Sequence, residues 1–139
     1  MTAMTLAIAR MVTDAALWCA EQSGVKVAVV VVDGHGDPQM VAVQEGAPLI
    51  ARDFALKKAY TALVFHSPPD ELSGADGFSA VRQAAVADPR LLFMAGGWPL
   101  DIGGRTVGAI GVSGGSLSED RECARAGAEA VRRHAAVQP

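Results

Sequence analysis

The chain has 139 residues, 50% hydrophobic and 19% charged, which suits one globular domain and excludes a disordered or fibrous protein. A formal net charge of −3 provides no basic surface for nucleic acid. Arg10 and Asp14 interrupt the apolar N-terminal stretch, so neither a signal peptide nor a membrane span is predicted. We therefore expect a single cytoplasmic domain over residues 1–139, with neither a nucleic-acid nor a membrane partner.

The cysteines and histidines predict no metal site. Cys19 and Cys123 are far apart in sequence, and the three histidines are also separated, so neither residue type has the spacing of metal ligands. Two small buried hydrophobic residues are the favoured interpretation of the cysteines. A disulfide between them is the less favoured alternative.

Hydrophobic periodicity predicts the first three elements. Residues Met4 to Gln22 form a helix with an apolar face at the 3.6-residue period. The run from Val25 to Val32 is rich in β-branched residues, which is typical of a central strand covered on both faces. Gln39 to Gln44 returns as its hairpin partner, with His35 at the solvated tip of the turn. The buried face of the helix is predicted to contain Met4, Ile8, Met11, Val12, Ala15, Trp18 and Cys19.

The second helix, from Ala47 to about His66, is apolar nearly all round. Such a helix is buried on more than one side, so a neighbouring subunit or a ligand is expected to cover its second face. Phe54 on this helix is a predicted ligand contact. Lys58 stands among apolar neighbours, where it is either a snorkelling stem or a positioned cation. His66 ends the helix, because the following Ser-Pro-Pro forbids its continuation.

A glycine-rich hairpin from Gly96 to Gly115 is the centre of the predicted ligand site. Two extended runs flank a Gly103-Gly104 turn, and a pair of glycines stands at each outer end. Glycine pairs leave backbone N–H groups accessible, and a tryptophan beside one pair offers a flat stacking surface. Each pair taken alone is also consistent with an ordinary tight connection. The ligand contacts predicted here are Gly96, Gly97, Trp98, Pro99, Gly114 and Gly115.

The last helix begins near Ser116 or Ser118, and Ser116 with Glu119 fits a capping box. Asp120 falls on the apolar side of this helix. It is either a first-turn carboxylate stabilised by the helix dipole or a group facing the same space as Trp98. We predict that the diglycine pairs, Trp98 and Asp120 border a common hollow.

The order of elements predicts an α/β (α+β) domain. Leu91 to Met94 is predicted as a fifth strand, so the sequence of elements is α-β-β-α-α-β-β-β-α. Hairpin connections favour a mainly antiparallel sheet, and the buried strand requires helices on both faces. The expected architecture is a three-layer α/β/α arrangement of the profilin-like or PAS-like class.

Several segments together resemble the GlcG/HbpS family, which also includes the C-terminal domain of PduO-type proteins. The matching segments are VVVVDGHGDP (29–38), EGAP (45–48), KAYTA (58–62), GGWP (96–99), VGAIGVSGG (107–115) and SEDRECARAG (118–127). The resemblance implies a profilin-like fold, a homo-oligomer and, in several members, binding of haem or a related tetrapyrrole. Haem iron needs an axial donor, for which His66 is the best-placed candidate and Tyr60 and Lys58 are further ones.

Three functions are therefore open. The first is small-molecule binding, with haem as the implied cofactor. The second is a cofactor-independent enzyme acting on a carbonyl-bearing or aromatic metabolite, with Lys58 and Asp120 as the catalytic cation and acid/base and the glycine N–H groups as oxyanion donors. The third is a non-catalytic assembly module.

Overall fold

A computed structural model of the protein describes residues 3–72 and 78–137. The helices and strands of this part of the chain follow nearly the predicted order. The elements are α1 (Leu6–Ser23), β1 (Ala28–Asp33), β2 (Pro38–Val43), α2 (Ala51–Phe65), a 3-10 turn (Pro69–Leu72), α3 (Phe78–Ala87), β3 (Gly97–Ile102), β4 (Arg105–Ser113) and α4 (Leu117–Val137).

The described strands form one antiparallel sheet in the order β2-β1-β4-β3. As predicted, β1 is central, with Ala28 to Val32 fully buried. The prediction of five strands is wrong, because the described part of the chain contains four. The segment from Leu91 to Met94 instead packs against α2: the Leu92 N–H donates to Thr61 Oγ1 at 2.8 Å, and the Phe93 ring packs on Phe65.

Helices cover both faces of the sheet. α1 and α4 pack against each other and against one face, and α2 packs against the other. The α2 face is built from alanines, which allows the helix axis to approach the strands closely. This helix touches the sheet through Ala51, Ala55, Ala59 and Ala62.

The predicted buried face of α1 is partly wrong. Trp18 is 64% exposed, and the fully buried positions of α1 are Ala9, Val12, Thr13, Ala16 and Ala20. The reason is the close approach of α4: a Cβ on Gly127 would lie 3.1 Å from the Val12 carbonyl oxygen. Small side chains therefore line the seam between α1 and α4, and the indole points outward.

Among residues 3–72 and 78–137, no helix has the length and apolar character needed to cross a bilayer. The cytoplasmic location and the self-association remain predictions.

Candidate functional site

Lys58 and Asp120, the predicted catalytic pair, meet in the interior of the protein. Lys58 Nζ donates to Asp120 Oδ2 at 3.1 Å and to the Val112 carbonyl oxygen at 3.0 Å. Asp120 Oδ1 accepts a hydrogen bond from the Gly115 N–H at 2.9 Å. The exposed fractions are 0% for Lys58 and 2% for Asp120, so the ion pair is sequestered from solvent. Lys58 is thus a positioned cation and not a snorkelling stem.

The capping box positions Asp120. α4 starts directly after Ser116, whose N–H donates to Glu119 Oε1 at 2.9 Å while its hydroxyl oxygen accepts from the Glu119 N–H at 3.2 Å. This reciprocal pair fixes the first turn of the helix. The carboxylate of Asp120 in that turn then faces the end of β4, where Lys58 arrives from α2.

The glycines of this region are required for close packing around the pair. A Cβ on Gly96 would overlap the Val112 carbonyl oxygen and come within 2.9 Å of Lys58 Nζ. A Cβ on Gly97 would overlap the carbonyl oxygen of Lys58. Gly114, with φ of +135°, would likewise overlap backbone at Lys26. These positions are occupied by neighbouring protein atoms, which leaves little space beside them for a ligand.

Trp98 lies on the other face of the sheet. Successive residues of a strand point to opposite faces, so Gly97 faces α2 whereas Trp98 packs with the α1/α4 cluster. The Arg121 guanidinium carbon stands 4.8 Å from the Trp98 ring centroid, and Arg121 Nε donates to Asp70 Oδ2 at 3.0 Å. The predicted diglycine pairs, indole and carboxylate therefore do not border one hollow.

A cleft of about 510 Å³ lies between the β3–β4 hairpin and α4. We call it the hairpin cleft. Of the predicted ligand contacts, Trp98 and Pro99 line it, whereas the four glycines do not. Asp101 and Arg132 are its charged lining residues.

A second cleft, of about 550 Å³, lies between α2, the β1–β2 turn and the segment after α3. We call it the α2 cleft. Its volume is within the range of small-molecule sites. Phe54, the remaining predicted contact on α2, lines it together with the partly exposed apolar residues Ile50 and Leu56. The other lining residues are His35, Gly36, Asp37, Asp53, Lys57, Tyr60, Pro89 and Arg90.

The β1–β2 turn closes one end of the α2 cleft. A Cβ on Gly36, which has φ of +85°, would lie 3.4 Å from the Tyr60 ring, so the turn packs directly on α2. Asp33 Oδ1 accepts hydrogen bonds from the N–H groups of His35 and Asp37 and fixes the turn. The Arg90 guanidinium lies 4.5 Å from the Tyr60 ring centroid and forms a salt bridge with Asp88. The His35 imidazole, the Tyr60 phenol and the cations of Lys57 and Arg90 thus lie beside the apolar side chains that line the α2 cleft.

His66 ends α2 as predicted, in a left-handed conformation with φ of 53°. Its side chain is exposed, and Nδ1 is 3.1 Å from Thr106 Oγ1. His66 does not line the α2 cleft or the hairpin cleft. The structure therefore separates the predicted axial donors: Tyr60 is in the α2 cleft, Lys58 is in the buried ion pair, and His66 is at the helix end.

The sequence reasoning missed several residues of the α2 cleft. His35 is exposed in the β1–β2 turn, as predicted, but the sequence did not indicate that it also lines this cleft, nor that Ile50, Lys57 and Arg90 do. One feature of the sequence did indicate this surface: the second apolar face of α2, which predicted that a ligand or a subunit covers it. The missing information was the fold of the β1–β2 turn against that face.

Burial lowers the pKa of Lys58 from its ordinary value of 10.5, and the charge and hydrogen bond of Asp120 offset this only in part. Below pH 10.5 there is then an interval in which the unfolded chain binds more protons than the folded one, so the free energy of unfolding rises with pH. We expect the free energy of unfolding, measured by urea unfolding at several pH values below 10.5, to change with a more positive pH slope for the native sequence than for Lys58→Met. Equal slopes for the two proteins would contradict the prediction.

The sequence model of the family described as "Haem degrading protein HbpS-like" matches residues 4–129. The chain belongs to the HbpS-like family. This confirms the resemblance found in the sequence. An uncharacterized 15.0 kDa protein of Citrobacter freundii, encoded in the dhaT-dhaS intergenic region, is 32% identical over 120 residues, which cover 85% of this chain and 84% of that protein.

Two solved structures of similar proteins share this fold. A double mutant of Streptomyces reticuli HbpS is 36% identical with a TM-score of 0.81, over 93% of this chain and 87% of that one. A PduOC:heme complex is 29% identical with a TM-score of 0.84, over 93% and 95% of the two chains. That second relative was solved with haem.

Proposed function

We propose that this protein binds haem or a related tetrapyrrole in the α2 cleft. The observation that carries the proposal is the presence of His35 and Tyr60, two residue types that ligate haem iron, beside the exposed apolar face of α2. Membership of the HbpS-like family and the haem complex of a relative support the choice of ligand.

The lining residues fit the chemistry of a haem. Ile50, Phe54 and Leu56 can cover an apolar macrocycle. Lys57 and Arg90 can pair with propionate groups, although Arg90 is also engaged by Asp88. A bound haem supplies an iron centre able to exchange electrons or bind small molecules. The chain's own part would be to hold the macrocycle and to bind the iron through the His35 imidazole, with the Tyr60 phenol as the alternative donor.

Hemin titration followed by absorbance tests the proposal. We expect saturable binding with a Soret band, weakened at least about tenfold in His35→Ala, since a lost iron–nitrogen bond exceeds the roughly 1.4 kcal/mol of that factor. His66→Ala is the matched control, because His66 lies outside the cleft, and it should bind hemin like the native protein.

Binding of iron-free protoporphyrin IX distinguishes coordination of the iron from contacts with the macrocycle. His35→Ala should bind it as tightly as the native protein does, whereas Lys57→Ala should weaken the binding of both porphyrins. Absence of saturable binding would reject the proposed function. Loss of the Soret band in His66→Ala, with His35→Ala and Tyr60→Phe unchanged, would reject the α2 cleft.

The enzyme hypothesis based on Lys58 and Asp120 gains no support from the clefts. Neither residue lines the α2 cleft or the hairpin cleft, and their charged atoms bond each other and backbone groups. Their catalytic role remains a prediction from the sequence without geometric support.

A further inference from the structure

The two cysteines occupy one seam of the fold. Cys19 lies near the end of α1 and is partly exposed, whereas Cys123 lies in the first half of α4 and is fully buried. Both belong to the same apolar cluster, in which Cys123 is a core member and Cys19 packs against it. Residues far apart in sequence are thus neighbours in the folded chain.

The helix pairing places both cysteines at the same end of the seam between α1 and α4. α1 turns directly into β1 and α4 follows directly from β4, and since β1 and β4 are antiparallel, α1 and α4 are antiparallel as well. Gly127 of α4 touches Val12 of α1. Measured along the helix axes from that contact, Cys19 lies about 10 Å towards the end of α1 and Cys123 about 6 Å towards the start of α4. Because the two helices are antiparallel, both displacements point in the same direction.

The seam is also narrow. At Gly127 a Cβ would meet the Val12 carbonyl oxygen at 3.1 Å, so the two backbones nearly touch. Facing cysteines on closely packed helices can reach the Cα separation that a disulfide requires, about 4.4–6.8 Å. Burial raises the pKa of the Cys123 thiol, and the adjoining Cys19 side chain raises it further. Cys19, which reaches solvent, is therefore the thiol that an oxidant meets first.

We propose that Cys19 and Cys123 are a peroxide-sensitive dithiol that closes into a disulfide joining α1 to α4. The Cys19 thiolate attacks a peroxide oxygen, the O–O bond breaks, and Cys19 sulfenic acid forms with release of hydroxide. The Cys123 sulphur then attacks the sulfenic sulphur, the S–O bond breaks, and water leaves with the thiol proton. In sum, two thiols and hydrogen peroxide give one disulfide and two waters. This proposal does not rest on haem binding.

The test is peroxide treatment of the reduced, folded chain, followed by denaturing alkylation and intact mass measurement without reductant. We expect the mass of a single chain that has lost two hydrogen atoms, gained no oxygen and carries no alkyl group on either cysteine. The peptide map should show a disulfide between Cys19 and Cys123. The oxidised chain should melt several degrees higher, because the bridge closes a loop of about 100 residues in the unfolded state.

Two variants complete the experiment. Cys123→Ala should accumulate Cys19 sulfenic acid, which dimedone traps, and should form no bridge within the chain. Cys19→Ser should keep Cys123 alkylatable, because that thiol is buried. The proposal is overturned if both thiols of the native chain survive peroxide that oxidises glutathione, if Cys19 gains oxygen without a bridge, or if the only disulfide formed joins two chains.

Discussion

Replacing Lys58 by alanine is expected to lower the free energy of unfolding by about 3–5 kcal/mol, because it leaves a buried carboxylate without its counter-charge. Among the residues that the structure describes, the carboxylate of Asp120, which is 2% exposed, would keep the Gly115 N–H as its one hydrogen-bond partner, and the Val112 carbonyl oxygen would lose its contact with Nζ. Urea unfolding at neutral pH measures the change. A loss below about 1 kcal/mol would show that the ion pair is not a feature of the folded protein.

Lys57 on the same helix is the matched control. It is only partly buried and has no bond to Asp120, so Lys57→Ala should change the stability by no more than about 0.5 kcal/mol. The double variant Lys58→Met, Asp120→Leu removes both charges while keeping volume in the interior. It should recover most of the loss, since replacing a buried ion pair by apolar residues is often neutral or stabilising by about 1–4 kcal/mol.

The double variant also tests whether the ion pair contributes to ligand binding or only to stability. If the pair only joins α2 to the start of α4, a stable double variant should bind hemin with native affinity. A double variant that is stably folded but has lost hemin binding would instead connect the pair to the ligand site.

The layers of the fold could be predicted because local pattern and tertiary packing agree there. The β-branched run in β1 is buried on both faces, as its composition indicated. The capping box at Ser116 and Glu119 forms as its spacing predicted. The segment after Arg90 resembles a strand in composition, but its N–H at Leu92 is taken by Thr61 of α2, a side chain distant in sequence.

The candidate site was harder to predict, since it depends on which face each residue occupies. The sequence indicated that Lys58 and Asp120 are unusual for their positions, and the structure pairs them. Trp98 next to Gly97 suggested a shared site, but strand alternation places them on opposite faces of the sheet. His35 joins Tyr60 only because Gly36 permits the β1–β2 turn to rest on α2, a contact that no local pattern encodes.

Replacing Gly111 by alanine is expected to destabilise the protein by about 3 kcal/mol or more, at the upper end of overpacking effects. Gly111 pairs with Val30 and Gly97 in the middle of the sheet, under α2. An added Cβ would overlap the Ala55 carbonyl oxygen and lie 2.8 Å from the Ala59 nitrogen. Both are backbone atoms, so no side-chain rotation can relieve the clash, and the helix itself must move.

Movement of α2 away from β4 would also stretch the contact between Lys58 Nζ and the Val112 carbonyl oxygen, which adds to the loss. Gly34→Ala is the matched control, because its Cβ would meet only the Val107 carbonyl oxygen at an ordinary 3.6 Å. We expect urea unfolding of that control to change by no more than about 0.5 kcal/mol. Near-native stability of Gly111→Ala would mean that α2 is not held against the sheet this closely, and Lys58 would then have room to leave the ion pair.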